Sequence, residues 1–573
     1  MASPISNTGD TALTRAIASC RGLFWTVGVF SGVANLLQLT VSLYMMQVFD
    51  RVLTTRNTDT LVYLTIIAIA AIGVLAALDA IRGAIMRRMA GWMERRIAPE
   101  GFARALEARL RGRPYRMEAL RDLSTVRGYL GSPGMLAIYD LPWVPVYLFV
   151  IFLLNPILGA VALGGALLLM LLTLVSEAVT TRLLREAGTA AQATQRRADA
   201  IGRNAEVIDS MGMLPAVLSR WQEEVARMIP PQSRAADRAS WITGLTRFAR
   251  LAVQLAILGL GAWLVLRQQM TAGSSIAASI IMGRALAPVE QLVGAWKQLV
   301  DARQSFRRLQ TFLALPRLRP EGMRLPSPAG WLSVERLSYV IPGSQEAVLK
   351  GVGFALSPGE SLAIIGPSAA GKTTLLRLLV GVAPPSTGHV RLDGADVFLW
   401  QREDFGRHVG YLPQDIELFD GTVFSNIARL TDSGPEAVFE AAKLAGCHEM
   451  ILRLPEGYDT QIGEGGIHLS GGQRQMIGLA RAFFGDPKFV VLDEPSASLD
   501  GEGEQALARA LATLKEQGTT VVAVTHRPSL VQALDKVLVL KAGTVATIGP
   551  RGEVMRRLAP PAARLAAVAE ETP

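Results

Sequence analysis

GPSAAGKT, Gly366–Thr373, is the stretch on which the reading of this chain turns. It has the form G-x-x-x-x-G-K-[ST], a loop whose backbone N–H groups cradle phosphates while its lysine and hydroxyl reach phosphate oxygens and a divalent cation. SLAIIG, Ser361–Gly366, reads as the buried strand feeding the loop, and GKTTLLRLLVGV as the helix it opens. Phosphates then lie at the positive N-terminal end of that helix. Such a loop alone is a weak signal. Here LSGGQ at Leu469–Gln473 and the apolar run FVVLDEP at Phe489–Pro495 follow in order.

Roles follow from position. Gly366, Pro367, Ser368, Ala369, Ala370, Gly371, Lys372, Thr373 and Thr374 form the candidate cradle for ATP. Lys372 neutralises the β- and γ-phosphates, and Thr373 ligates Mg²⁺ together with Asp493 at the end of the apolar strand. Glu494 is the carboxylate placed to polarise the attacking water. VVAVTH closes another buried strand at His526, whose imidazole is expected to contact the γ-phosphate. YLPQD puts Gln414 where its amide senses metal and nucleophilic water. Ser470, Gly471, Gly472 and Gln473 open a second helix, QRQMIGLARAFF, whose N-terminus is also an anion site. One chain already supplies a phosphate loop, so the second site fits two chains face to face. Each ATP would be clamped between Lys372 of one and Ser470 of the other, and the expectation is a homodimer.

Outside this half the composition changes. Of 573 residues, 50% are hydrophobic and 19% charged, with mean hydropathy +0.30; long uncharged runs crowd before Val300. A membrane span needs roughly 20 apolar residues. Leu23–Val48 and Thr60–Leu78 supply the first two. Leu141–Ser176, broken at Asn155–Pro156, reads as two spans with a tight turn. Leu251–Leu266 is the fifth, and the sixth starts near Gly273. Between the second and third lie twelve arginines from Arg82 to Arg127, which place that loop, both termini and the ATPase in the cytoplasm. The net charge of +9 sits largely in such loops, so nucleic acid is not an expected partner. Cys20 and Cys447 fall in cytoplasmic segments and predict no disulfide. The first 22 residues lack the apolar core of a removable signal peptide.

The connections 81–139 and 177–250 are read as membrane helices extended into the cytoplasm, each with a short transverse helix; Met213–Met228 is one amphipathic stretch. Polar residues inside spans need a reason. Ser31, Asn35, Gln38 and Ser42 recur along one face of the first span, and Arg284 lies near the middle of the sixth. Two readings are open: a hydrated export path, or interhelical bonding with Arg284 paired to Asp140 or Glu290.

Pro316, Pro320, Pro326 and Pro328 mark a connector, after which short β-branched runs alternate with helices. The expected architecture is a multi-domain membrane protein: an N-terminal segment 1–22, a six-helix all-α transmembrane domain 23–315, a linker 316–330, an α/β nucleotide-binding domain 331–558 and a tail 559–573.

The nucleotide-binding half resembles ABC exporter ATPases, through GTVFSNI at Gly421–Ile427, TQIGEGG at Thr460–Gly466 and SASLD at Ser496–Asp500 as well as the motifs above. Asp500 joins the nucleotide-binding residues on that resemblance. The membrane half is similar to the ABC component of bacterial type I secretion systems, through SLYMMQVFDRVL at Ser42–Leu53, YDLPWVPVYLFVIFLLNPILG at Tyr139–Gly159 and SSIAASIIMGRALAPVEQLVGAWKQLVDARQSFRRL at Ser274–Leu309. The protease and lipase exporter branch fits; the toxin branch carries an extra N-terminal peptidase-like domain, for which 22 residues are too few. The resemblance implies an ATP hydrolase in the bacterial inner membrane that exports an unfolded, secreted polypeptide bearing a C-terminal signal. It also implies a periplasmic membrane-fusion adaptor protein and an outer-membrane channel protein. A lipid or small-molecule half-exporter is the alternative; a soluble ABC ATPase is disfavoured by the spans. Two positions depart from the family pattern: Ala369 replaces a common glycine, and Ile341 stands where an aromatic stacks on adenine. Tyr339, two residues back on the same strand face, is the candidate substitute.

Overall fold

A computed structural model describes residues 12–111, 117–202, 204–320, 322–463 and 466–558. The chain divides into two units, Met1–Leu106 with Tyr115–Pro316, and Glu107–Pro114 with Arg317–Pro573.

Among the described residues of the first unit six helices are long and apolar enough to cross a membrane: Arg21–Thr55, Thr58–Leu110, Pro133–Leu154, Pro156–Val175, Ala236–Leu266 and Ala272–Gly294. The turn between the third and fourth is local chemistry. Asn155 is extended at φ −161°, ψ 127°, and its Oδ1 accepts from Ile157 N at 2.9 Å. Pro156 then takes the first helical position, where no N–H is required. Several helices run well past the bilayer: Thr58–Leu110 and Leu214–Leu266 have 53 residues each, about 80 Å at 1.5 Å per residue. Ala205–Ser210 is a short helix at the turn of the second connection. In the first connection, residues 112–116 lie outside the described residues. Met213–Met228 is not a separate element but the start of Leu214–Leu266.

Three of the four polar residues along the first span are enclosed between helices, Gln38 being half-buried. Ser31 and Ser42 are fully buried and Asn35 nearly so. Asn35 Nδ2 donates to Asp140 Oδ1 and to the Ser31 carbonyl, both at 2.8 Å, and the Tyr147 hydroxyl donates to Asn35 Oδ1 at 2.9 Å. Arg82 donates to both Asp140 oxygens at 2.6 and 3.2 Å and to Ser31 Oγ at 3.0 Å. Hydrocarbon offers these groups no partner, so Ser31, Asn35, Arg82, Asp140 and Tyr147 satisfy one another between helices, whereas the Ser42 hydroxyl is buried without a partner. The expected pairing of Arg284 is also corrected: Arg82 takes Asp140, and Arg250 takes Glu290 at 2.7 Å. Arg284 is exposed.

The second unit is built on two main sheets. The strands are β1 Leu332–Val340, β2 Ala347–Leu356, β3 Ser361–Ile365, β4 Thr387–Leu392, β5 Ala395–Asp396, β6 Val409–Leu412, β7 Gly421–Thr422, β8 Gln461–Ile462, β9 Phe489–Asp493, β10 Thr520–Val524, β11 Lys536–Lys541 and β12 Thr544–Pro550. One sheet is antiparallel, β2-β1-β4-β5; the other runs β12-β11-β3-β10-β9-β6 and is parallel except for β12. Every residue of β9 and β10 is buried, which explains their unbroken apolar runs. β7 and β8 pair as a small ladder, beside helices from Val423 to Phe483 that pack around Ile427, Val438, Ile451 and Ile477.

The proline-punctuated segment is not a free tether. Arg319 donates to the Gly381 carbonyl and lies over the Phe398 ring at 4.7 Å. Leu325 N donates to Asp404 Oδ2 at 3.0 Å, and the Asp393 carboxylate accepts from the N–H groups of Ala329, Gly330 and Trp331. Proline denies this stretch a helix or a ladder, so its backbone donors go to carboxylates of the sheet domain. The segment folds with the ATPase.

Candidate functional site

β3 ends at Ile365 and the helix Lys372–Leu379 begins seven residues later. Gly371 has φ 98° and a Cβ there would meet Leu349 Cδ2 at 2.9 Å; only glycine turns the loop tightly at that point. Ala369, which stands where the resemblance expects glycine, has φ 61°. A left-handed alanine costs about 1–2 kcal/mol, partly offset by the unfolded-state freedom glycine would regain. Ala369→Gly is therefore expected to raise stability by roughly 0.5–1 kcal/mol. Thermal unfolding of the detergent-solubilised chain measures this, and an unchanged or lower Tm would show that the loop holds no strain there.

Lys372 is buried, and its Nζ donates to the carbonyls of Gly366 and Pro367 at 2.8 and 3.0 Å. The ammonium is thus held across its own loop, where phosphate oxygens would exchange for those carbonyls. Pro367, Ser368 and Thr373 are exposed, Ala370 is buried and Thr374 half-buried.

Asp493 ends β9 and is 1% exposed, yet neither carboxylate oxygen makes a well-formed hydrogen bond, the neighbouring Thr373 hydroxyl interacting with it only weakly. Burial pushes its carboxyl above the ordinary value; the neighbouring Glu494 adds to this, while the Thr373 hydroxyl and Lys372 oppose it. Unsatisfied buried carboxylates are rare and costly. Beside a hydroxyl and an anion site, this one suits a hard cation with oxygen ligands.

Glu494 has φ 51°, held by its N–H donating to the Val524 carbonyl at 3.0 Å. Backbone strain of this kind is stored where the fold over-determines a residue. Register pairs Val524 with Asp493 across β10 and β9, so the residues following these strands are neighbours. His526 Nε2 lies 3.9 Å from Glu494 Oε1. Gln414 is exposed, just after β6.

Ser470 caps the helix Gly471–Phe483: its Oγ accepts from Gln473 N at 3.2 Å, and Gln473 Oε1 accepts from Ser470 N at 2.9 Å. This reciprocal cap leaves the exposed Ser470 and Gly471 at a helix N-terminus open to solvent. Asp500 caps another helix, Gly501–Glu516, by accepting from Gly503 N at 2.8 Å.

Two features correct or extend the sequence reading. Tyr339 is half-buried and packs against the core of the sheet domain. Ile341 lies just past the end of β1 at Val340 and is exposed, so strand alternation does not link the two. Gln475 was not foreseen. It is buried, and its Nε2 donates to the carbonyls of Pro495 at 2.8 Å and Glu494 at 3.3 Å, tying the LSGGQ helix to the strand end that carries Asp493 and Glu494. Its signal was a polar residue on the apolar face of that helix.

Comparison with known proteins agrees with this construction. Residues 24–287 match the ABC transporter transmembrane region and residues 349–497 match the ABC transporter family. The type I secretion system ATP-binding protein PrsD of Rhizobium meliloti is 40% identical over 95% of this chain and 94% of its own length. The cyclolysin secretion/processing ATP-binding protein CyaB of Bordetella pertussis is 30% identical over 93% of this chain and 76% of its own. A bacterial Atm1-family ABC exporter solved with ATP bound superposes at a TM-score of 0.82, covering 97% of this chain and all of that one at 20% identity; it shows the fold alone.

Proposed function

The chain belongs to the ABC transporters of type I secretion, a multi-pass membrane protein with a nucleotide-binding ATPase, and from that premise we propose how it works and what it carries. It exports polypeptide at the expense of ATP; the proposed cargo is an unfolded, secreted protein with a C-terminal signal. It sits in the bacterial inner membrane with both termini and the ATPase in the cytoplasm, and acts with a periplasmic adaptor and an outer-membrane channel. The names of PrsD and CyaB support secretion; the arginine-rich connections support the orientation.

The observation that carries the reading is the join of six apolar spans to a site with an orphaned Asp493 carboxylate beside Glu494. Thr373 and Asp493 are the residues that would hold Mg²⁺, with Gln414 nearby in sequence after β6. Bound there, Mg²⁺ would neutralise phosphate charge. Lys372 releases the loop carbonyls and binds β- and γ-phosphate oxygens. Glu494 orients a water for in-line attack on the γ-phosphorus and draws its proton, while His526 holds the γ-phosphate; the products are ADP and inorganic phosphate. Ser470 and the N–H groups of Gly471 and Gly472 close the site on the γ-phosphate of a second copy's ATP, which makes the working unit a homodimer. Separation after hydrolysis returns the spans to their open state.

Purified protein in lipid vesicles tests the cargo. A C-terminal peptide of a secreted protein should stimulate ATPase activity several-fold, whereas phospholipid or a small hydrophobic amine should not. Stimulation by lipid alone would instead make this a lipid half-exporter.

A further inference from the structure

The sixth span, Ala272–Gly294, is the most enclosed of the six: half of its apolar window is buried, against 6–33% for the others. Between Gly273 and Val293 two residues are exposed, Arg284 and Gln291. Seven residues make about two turns, so both lie on one face. Ala287 and Gly294, one turn on from each, add almost no side-chain bulk. The exposed faces of other spans differ in kind: Ile66, Ile67 and Ile69 on the second, Leu167 and Leu171 on the fourth, Leu255 and Leu258 on the fifth.

Arg284 stands twelve residues from Ala272, about 18 Å along a helix that crosses about 30 Å of hydrocarbon. Lipid penalises a guanidinium strongly at that depth. The two carboxylates expected to neutralise it are committed elsewhere, Asp140 to Arg82 and Glu290 to Arg250. The most enclosed span thus turns its one basic residue onto its open face, while its one acid, Glu290, is paired with Arg250.

We propose that the Arg284–Gln291 face lines the water-filled route through the membrane and contacts the moving polypeptide there, favouring segments rich in Asp and Glu. A guanidinium offers donors and no acceptor, so carboxylates and backbone carbonyls are its partners; Gln291 adds one donor–acceptor amide for the peptide backbone. This rests on the polypeptide-export reading and adds to it the residues and the charge preference.

The test uses the full chain in lipid nanodiscs, with Cys20→Ser and Cys447→Ser as background. A charged methanethiosulfonate reagent should label Gln291→Cys about tenfold faster than Leu167→Cys, since hydrocarbon excludes the reagent. Poly-glutamate should slow labelling of Gln291→Cys and poly-lysine should not. That slowing should vanish when Arg284→Gln is added and persist with Arg284→Lys, a dependence that misfolding would not produce. Equal labelling of the two variants would place the face against lipid or a second copy and overturn the proposal. Slowing by poly-glutamate that ignores Arg284→Gln would overturn it too. The export reading fails separately, when the unmodified protein's ATPase responds to no polypeptide.

Discussion

Glu494→Gln is expected to cut kcat for ATP hydrolysis by about 10²–10⁴ while leaving nucleotide binding intact. The amide keeps the size of the side chain but accepts no proton from water. Lys372, Thr373 and the loop glycines, proposed above to hold the phosphates, are untouched. ATP should therefore stay bound, and with it the second copy whose Ser470 end closes the site. On size-exclusion chromatography with ATP and Mg²⁺, the ATPase units of the variant should remain paired where the unmodified ones separate. Retention of more than about a tenth of the activity would remove Glu494 from the role of base. Loss of activity without ATP-dependent pairing would remove the shared-site arrangement.

Asp140→Leu is expected to be the most damaging single change in the membrane unit. Arg82 is 6% exposed and its charge is met by Asp140 at 2.6 Å. Asp79, at 3.0 Å from Arg82 Nε, is itself half-exposed and a poorer partner. Removing one member of a buried ion pair typically costs about 3–5 kcal/mol, because the other charge is left uncompensated. The same substitution removes one of the two acceptors of Asn35 Nδ2, the Ser31 carbonyl remaining, and loosens Tyr147, which donates to Asn35 Oδ1. Adding Arg82→Met should recover most of the loss, since an apolar replacement of the whole pair is often neutral. Thermal unfolding in detergent and the yield of folded protein report both effects. An unharmed Asp140→Leu would mean that water reaches Arg82.

Much of the fold was legible because its signals are local. Each span announces itself by an uncharged run, Asn155–Pro156 by its own turn chemistry, and the phosphate loop by glycines that no other residue can replace. Asp493 and Glu494 were placed by the apolar strand ahead of them. What was not legible depends on residues far apart in the chain. Arg82 and Asp140 sit 58 positions from each other, and each alone looks like a loop charge beside a span. Nothing local says that Asp393 gathers three backbone donors from a proline-rich segment. The bulge in β1 at Arg336, φ 43°, and the end of the strand at Val340, one residue short of Ile341, are equally silent in the sequence. Gln475 was hidden for a different reason. It donates to carbonyls nineteen and twenty residues away; a glutamine on the apolar face of its helix signals a buried partner but not which one.

The central claim is that ATP cleavage by this chain moves polypeptide across a membrane. Inside-out vesicles containing the purified protein, given ATP, Mg²⁺ and a labelled secreted polypeptide with its C-terminal signal, should accumulate protease-protected label. Vesicles made with Glu494→Gln protein should not. Equal protection with and without ATP, or in the Glu494→Gln vesicles, would contradict the account.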